Sequence, residues 1–180
     1  SAVSYLSMHG RNVLYMNNGD GTFTDRSRET GLDHVGYSTQ ATFFDYDNDG
    51  DLDLYVLVDQ IFDEKTTTNL RQQVSDGTSP NVDRLYRNDF DPKRGHAYFI
   101  DVSKQAGILH EGFGLGINIC DINRDGWKDI YVTNDFATSD LLYVNNHDGT
   151  FTNRNREAFR HTSYSAMGND VADINSDGLA

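Results

Sequence analysis

The sequence lacks the features of several protein classes. It has one cysteine, so Cys120 cannot form an internal disulfide. Its longest apolar run, 54–58, is far too short to span a membrane, and the first residues have neither the basic nor the apolar region of a signal peptide. Its 15 basic residues are outnumbered by 28 acidic ones and are not clustered, as a nucleic-acid-binding surface would require. We therefore expect no membrane span in this segment and no nucleic-acid partner.

The acidic residues are almost all of one kind. The chain has 24 Asp and only 4 Glu, together with 16 Asn and 16 Gly, and its formal net charge is −13. Asp, Asn and Gly favour turns, whereas Glu favours helices. The apolar fraction of 37% and the aromatic fraction of 12% are too high for a disordered acidic tail. The aspartates are therefore expected to have a local geometric role in a folded domain.

A repeat organises the chain. The segments LYMNN (14–18), LYRND (85–89) and LYVNN (142–146) each lead through a polar turn to a phenylalanine. From that phenylalanine to the first aspartate of an Asp-rich loop the step is 22 residues each time: 23 to 45, 99 to 121 and 151 to 173. The first repeat contains 19 additional residues within 59–84. Repeat scaffolds tolerate such insertions in one loop of a unit.

Each unit predicts four short strands rich in aromatic and branched residues. They are expected at 39–44, 53–58, 84–88 and 97–101, then at 115–120, 129–133, 141–144 and 150–153. Four strands in about 50 residues is the size of a β-propeller blade. The fold class predicted is therefore an all-β propeller of four-stranded blades, here a partial ring. A parallel β-solenoid is the alternative, but its coils are shorter.

The repeat also predicts the domain organisation. Residues 1–38 are expected to end a preceding blade and connect it to the next. Residues 39–114 form a blade with the insertion at about 59–84, 115–166 form a second blade, and 167–180 begin a further one. Propellers typically have four to eight blades, so about two whole and two partial blades predict a piece of a larger ring.

Three Asp-rich loops have the spacing of a cation site. Oxygen-bearing side chains recur at positions 1, 3 and 5, and Gly at position 6 permits a sharp turn. A backbone carbonyl at position 7 and a carboxylate at position 9 would complete the ligand shell. The predicted ligands are Asp45, Asp47, Asp49, Asp51 and Asp53 in the first loop, Asp121, Asn123, Asp125, Trp127 and Asp129 in the second, and Asp173, Asn175 and Asp177 in the truncated third.

An all-oxygen ligand set favours Ca²⁺ over zinc or copper. An EF-hand begins in the same way but needs a glutamate at position 12 and flanking helices. Position 12 is Val56 in the first loop and Val132 in the second, each within a predicted strand. We therefore expect two complete Ca²⁺ sites and one truncated site, each joining two strands.

The blocks FDYDNDGDLDLYV (44–56) and DINRDGWKDIYV (121–132) resemble FG-GAP/VCBS repeats, the Ca²⁺-loop blades of integrin α-type propellers. The pieces FGLGI (113–117), YVTNDF (131–136) and NNHDGTF (145–151) are similar to the cartilage-acidic-protein-like, ASPIC/UnbV-associated branch. The resemblance implies a propeller of seven or eight blades. It also implies structural Ca²⁺ between the first two strands of a blade and a secreted or cell-surface location.

Few residues outside the loops point to another function. His34 and His110 each stand 11 residues before a loop and are interpreted as repeat positions, while Asp135 and Asp140 are the most distinctive other acids. Trp127, at loop position 7, could stack on a sugar or contact a protein. The predicted function is an extracellular or cell-surface Ca²⁺-binding module for a protein or glycan ligand. The alternatives are a polysaccharide lyase or hydrolase on the same scaffold and a structural spacer of a larger surface protein.

Overall fold

A computed structural model describes residues 10–60, 72–93, 95–136 and 138–175. These residues are almost entirely β-structure, with two one-turn helices. Four antiparallel sheets form a partial β-propeller, and they do not close a ring over the described ranges. The elements in chain order are β1 (Gly10–Arg11), β2 (Tyr15–Asn17), β3 (Phe23–Asp25), α1 (Ser27–Thr30), β4 (Val35–Gly36), β5 (Ser38–Phe44), β6 (Asp53–Val58), β7 (Arg84–Asp91), β8 (His96–Asp101), β9 (Gly114–Cys120), β10 (Asp129–Asn134), β11 (Leu141–Asn145), β12 (Phe151–Asn153) and α2 (Asn155–Ala158).

The two larger sheets have the same topology. Their strand orders are β5-β6-β7-β8 and β9-β10-β11-β12, so each sheet is a simple up-and-down meander. All eight strands overlap the ranges predicted from the sequence, which confirms that prediction. The smaller sheets pair β2 with β3 and β1 with β4. The hairpin β2–β3 corresponds in the repeat to β7–β8 and to β11–β12.

The first strands of the two larger sheets, β5 and β9, lie side by side. The Thr39 hydroxyl donates to the carbonyl of Gly114 at 2.6 Å, and the amide of Ile117 donates to Oε1 of Gln40 at 3.2 Å. Successive sheets therefore meet along their inner edges, as neighbouring blades do around a propeller axis.

The second strand of the first blade is buried on both faces. Along β6, Tyr55 and Leu57 pack into the core between the two larger sheets, whereas Leu54 and Val56 pack into a second cluster with Leu32 and with Leu14, which precedes β2. This explains why the segment is continuously apolar and does not alternate, since a strand between two neighbours has no solvent face. The core between the larger sheets also contains Leu85, Ile108, Ile130, Val132, Leu141, Tyr143 and Phe151.

Buried polar pairs fix the end of the second strand in both blades. In the first, Oδ1 of Asp83 accepts the amide of Val58 and Oδ2 accepts the Tyr55 hydroxyl, each at 3.0 Å. In the second, Asp140 accepts the amide of Asn134 and the Tyr131 hydroxyl. Asp140, which the sequence marked as a possible functional residue, therefore has a structural partner set that recurs one blade earlier.

The described part of the insertion folds back onto a buried acid. Glu111 is fully buried, and its carboxylate accepts the amide of Val74 at 2.7 Å and the hydroxyl of Ser79 at 2.9 Å. Residues 61–71 of the predicted insertion lie outside the described residues.

Residues 167–172 belong to the segment expected to begin a further blade, and they form no strand. Strands β5 and β9 each pair with the strand that follows their Asp-rich loop, and no such partner exists among the described residues, which end at 175. Asn169 instead contacts the second blade through its side chain, which donates to Oγ1 of Thr133 at 3.1 Å.

Candidate metal centre

The first Asp-rich loop connects β5 to β6 and gathers its carboxylates on one side. Asp45, Asp47 and Asp49 each present a carboxylate oxygen, and these atoms lie within 4.8 Å of one another. The turn is made by Asn48 at φ 57° and Gly50 at φ 95°. Both residue types tolerate the left-handed conformation, so the local sequence permits the close approach of like charges.

Backbone amides orient these carboxylates. The amides of Asp49 and Gly50 donate to the two oxygens of Asp45 at 3.2 and 3.0 Å, and the amide of Asp51 donates to Oδ1 of Asp49 at 3.0 Å. The loop therefore wraps around its first residue.

Asp53, at loop position 9, joins the loop to the sheet. It is fully buried. Its Oδ2 accepts the amide of Tyr46 at 3.0 Å, and its Oδ1 accepts the amide of Asn88 on β7 at 2.8 Å. Burial raises the pKa of this carboxyl to about 7, although the two hydrogen bonds oppose the shift. Each oxygen keeps a lone pair beyond the one used for the amide.

The first loop has more negative charge than its own donors can satisfy. Oδ1 of Asp47 and Oδ1 of Asp51 are buried and have no hydrogen-bond partner among the described residues. Burial, and then the charges of neighbouring carboxylates, raise the pKa values of both groups. An unpaired buried carboxylate oxygen is costly, and a cation is the group that would compensate it. The residues of this loop therefore fit a hard cation bound by oxygen.

The second loop, between β9 and β10, repeats this framework. The amides of Asp125 and Gly126 donate to the two oxygens of Asp121 at 3.0 and 2.8 Å. At position 9, the buried Asp129 accepts the amide of Ile122 at 2.9 Å and that of Asn145 at 2.9 Å. Each bond has its counterpart in the first loop, so the repeat extends to individual hydrogen bonds.

The second loop differs at its exposed end. Oδ2 of Asp125 is approached by the Asn123 amide at 2.6 Å and by Nε2 of His147 at 2.7 Å. The His147 ring stacks on that of Trp127, with centroids 5.0 Å apart and planes at 18°. Desolvation raises the pKa of Asp125, but its hydrogen bonds, above all the one from His147, outweigh that effect and hold this pKa below its ordinary value. Trp127 is half-buried against this histidine.

His147 is the loop neighbour that sequence reasoning missed. It lies in the turn between β11 and β12, 22 residues from Asp125. The related first turn has Gly19 at that position, so the signal was a histidine where the repeat has a glycine.

The remaining predicted site residues are only partly placed. Asp173 and Asn175 of the third loop are described, while Asp177 lies outside the described residues. Asp135 accepts the amide of Phe136 and contacts the Ser165 hydroxyl. His110 is half-buried in an edge-to-face contact with Tyr143, and burial lowers its pKa. His34 accepts the amide of Asn12 through its carbonyl.

Comparisons with known proteins agree with the repeat. The model of the FG-GAP-like repeat matches residues 2–56 and 121–180, which include both complete Asp-rich loops. A search of curated proteins found no significant match. No helix within the described ranges is long and apolar enough to cross a membrane. Because the matched segments cover more than half of the sequence, the chain belongs to the FG-GAP-like repeat family.

Proposed function

We propose that this chain is a calcium-binding propeller module that acts outside the cell or at its surface. The observation that supports this most is the first loop, where three carboxylates converge and where buried oxygens of Asp47 and Asp51 have no hydrogen-bond partner among the described residues. Asp45, Asp47, Asp49 and Asp53 would hold Ca²⁺ together with the backbone carbonyl of Asp51. The bound ion would neutralise these charges and stiffen the connection between β5 and β6.

The same ligand pattern supports a second site at Asp121, Asn123, Asp125 and Asp129, with the carbonyl of Trp127. This loop has fewer carboxylates, and one of them already contacts His147. Fewer charged ligands lower Ca²⁺ affinity, so the second site should be the weaker one. A third site at Asp173, Asn175 and Asp177 is proposed on the sequence pattern alone.

An extracellular location is proposed from the openness of these loops. Asp49, Gly50, Asp125 and Gly126 are exposed, which leaves room for water ligands and for ion exchange. Oxygen sites of this kind in extracellular modules have dissociation constants of about 10⁻⁴ to 10⁻³ M. Such sites fill at the millimolar Ca²⁺ found outside cells. A dissociation constant below about 10⁻⁶ M at both loops would contradict this argument.

A protein or glycan ligand is proposed at the face opposite the calcium loops. The loops lie where β6 and β10 begin, whereas the longer connection 102–113 between β8 and β9, and the described residues 72–83 before β7, lie at the other ends of the strands. Loops presented by a rigid scaffold are a common place for recognition. Binding to an immobilised glycan panel, measured with Ca²⁺ and with chelator, would distinguish a glycan ligand from a protein one.

Calcium binding itself is tested by thermal unfolding and calorimetry. At 100 times the dissociation constant, one bound ion stabilises a fold by about 2.7 kcal/mol, so chelation should lower the Tm by roughly 5–10 °C. Asp47→Asn should weaken binding at least tenfold. Asp76→Asn, in an exposed turn away from the loops, serves as the control and should leave binding unchanged. Equal Tm values with Ca²⁺ and with chelator would refute the proposal.

A further inference from the structure

Asn145 lies between the two complete Asp-rich loops. It is the last residue of β11 and is 3% exposed. Its side-chain amide donates to the carbonyl of Tyr46 in the first loop at 2.8 Å and to the carbonyl of Lys128 in the second at 3.2 Å. One buried amide group thus holds backbone atoms of two loops that are far apart in sequence.

The same residue is also bonded to a carboxylate of the second loop. Its backbone amide donates to Oδ1 of Asp129 at 2.9 Å, while the amide of Tyr46 donates to Oδ2 of Asp53 at 3.0 Å. These hydrogen bonds link four residues in series, from Asp53 through Tyr46 and Asn145 to Asp129. Both ends of this series are position-9 carboxylates.

Close packing leaves the contact between Tyr46 and Asn145 little freedom to move. The Tyr46 side chain is 3% exposed, and its ring stacks on that of Phe151 with centroids 6.1 Å apart and planes at 29°. Oδ1 of Asn145 accepts the amide of His147 at 2.9 Å. Because close-packed interiors transmit displacement and do not absorb it, a shift of the Tyr46 carbonyl must alter the position of Asn145.

We propose that cation binding at the two loops is thermodynamically coupled and that Asn145 is the coupling residue. The inference rests on the calcium function proposed above. Ordering the first loop fixes the Tyr46 carbonyl where the Asn145 amide needs it, so the second loop then loses less conformational freedom when it orders around an ion. Two sites that share an ordering cost bind with positive cooperativity, and each raises the affinity of the other by the same factor.

Asn88 provides a matched comparison. It holds the position of Asn145 in the preceding blade: its backbone amide donates to Asp53 and its side chain donates to the carbonyl of Leu52 at 3.1 Å. Its Oδ1 has no partner among the described residues, and both of its bonds are to the same loop. Asn88→Ala therefore removes a bond within one site, whereas Asn145→Ala also removes the bond between sites.

The experiment measures the affinity of the second loop with the first loop intact or disabled. Trp127, the only tryptophan, is at position 7 of the second loop and can sensitise Tb³⁺ luminescence there. Competition with Ca²⁺ then gives the affinity of that loop alone. The first loop is disabled by the double substitution Asp47→Asn and Asp49→Asn. This double substitution is introduced into three backgrounds: the wild type, Asn145→Ala and Asn88→Ala.

Disabling the first loop should weaken Ca²⁺ binding at the second by about fivefold or more in the wild type and in Asn88→Ala, and by less than twofold in Asn145→Ala. A purely structural Asn145 would lower the Tm and leave the fivefold effect intact, which would overturn the inference. Saturable but independent binding at both loops would overturn the coupling and leave the calcium function standing. Absence of any saturable binding would overturn both. If Asn145→Ala does not fold, Asn145→Ser replaces it, because a hydroxyl is too short to reach Tyr46.

Discussion

Asp83 offers the sharpest test of the buried electrostatics of this fold. The side chain is fully buried at the start of the third strand of the first blade. Its two oxygens accept the amide of Val58 and the hydroxyl of Tyr55, each at 3.0 Å. Burial raises the pKa of this carboxyl from 3.8 to about 7, and the two hydrogen bonds only partly offset that shift.

The raised pKa makes stability depend on pH. Between about pH 4 and pH 7 the folded state retains a proton on Asp83 that the unfolded chain has released. The free energy of unfolding must then fall as the pH rises through this window, by about 1.4 kcal/mol per pH unit. Above pH 7 the loss from this one group is on the order of 4 kcal/mol. Asp83→Asn keeps the shape of the side chain and removes the titration.

The assay is urea unfolding of the wild type and Asp83→Asn at pH 5 and pH 7.5, with chelator present. The difference in unfolding free energy between the two proteins should shift by about 3 kcal/mol in favour of the variant at the higher pH. Tyr55→Phe removes a hydrogen bond that lowers the pKa of Asp83 but keeps the carboxyl, so stability should still fall as the pH rises, at least as strongly as in the wild type. Asp53, whose pKa is raised to about 7, has no charge interaction with Asp83 among the causes of its shift and contributes equally to both proteins, whereas the charge of Asp59 helps to raise the pKa of Asp83 in the wild type alone. Parallel pH profiles for the wild type and Asp83→Asn would refute the reasoning.

Two further predictions concern packing and are checked by the Tm and by urea unfolding. Gly107 has φ 79°, and an added Cβ would lie 2.7 Å from the carbonyl oxygen of Phe151, so Gly107→Ala should cost at least about 2 kcal/mol. Gly21→Ala, with φ 87° and no described residue except its chain neighbours within 4 Å of the added Cβ, should cost about 1 kcal/mol. Equal costs for the two variants would contradict a steric collision at Gly107. Ile130→Ala, at a fully buried site, should cost about 2–5 kcal/mol. Ile122→Ala, at a side chain 39% exposed, should cost less than about 1 kcal/mol, and a larger loss there would contradict the assigned core.

The strands and the two complete loops were predictable because their signals are local. In β6 the apolar run 54–58 is bounded by polar turns, so its limits could be inferred from the sequence. The positions from Asp45 to Asp51 are placed by turn residues within the same nine-residue segment, and of the five predicted positions Asp53 is the one that also bonds a distant residue, Asn88. Such features depend on nearest neighbours along the chain, which a sequence displays directly.

The features that sequence reasoning missed depend on distant residues. The contact of His147 with Asp125 requires the turn after β11 to lie against the loop before β10, and a histidine in place of the repeat's glycine does not by itself identify that partner. The bond from Asn145 to Tyr46 spans 99 residues and two blades. Residues 167–172 form no strand for a related reason: a strand needs a partner, and pairing is a property of the assembled sheet.

The excess of Asp over Glu has two separate causes, and the direction of the pKa shift distinguishes them. Three exposed Asp-Gly-Thr turns each have an Asp whose Oδ1 accepts both the amide and the hydroxyl of the Thr two residues later, and these bonds lower the pKa of the Asp: Asp20, Asp76 and Asp148. Asp47, Asp51 and Asp53 instead have raised pKa values, because burial and neighbouring charge outweigh the donors they have. The short side chain suits both roles, since it reaches backbone amides close by in sequence, which the longer Glu does less well. Only the second group contains carboxylate charge that its hydrogen-bond donors leave uncompensated and that a cation would compensate. The net negative charge of the whole chain is therefore no argument for a calcium site, whereas the uncompensated carboxylates of the first loop are.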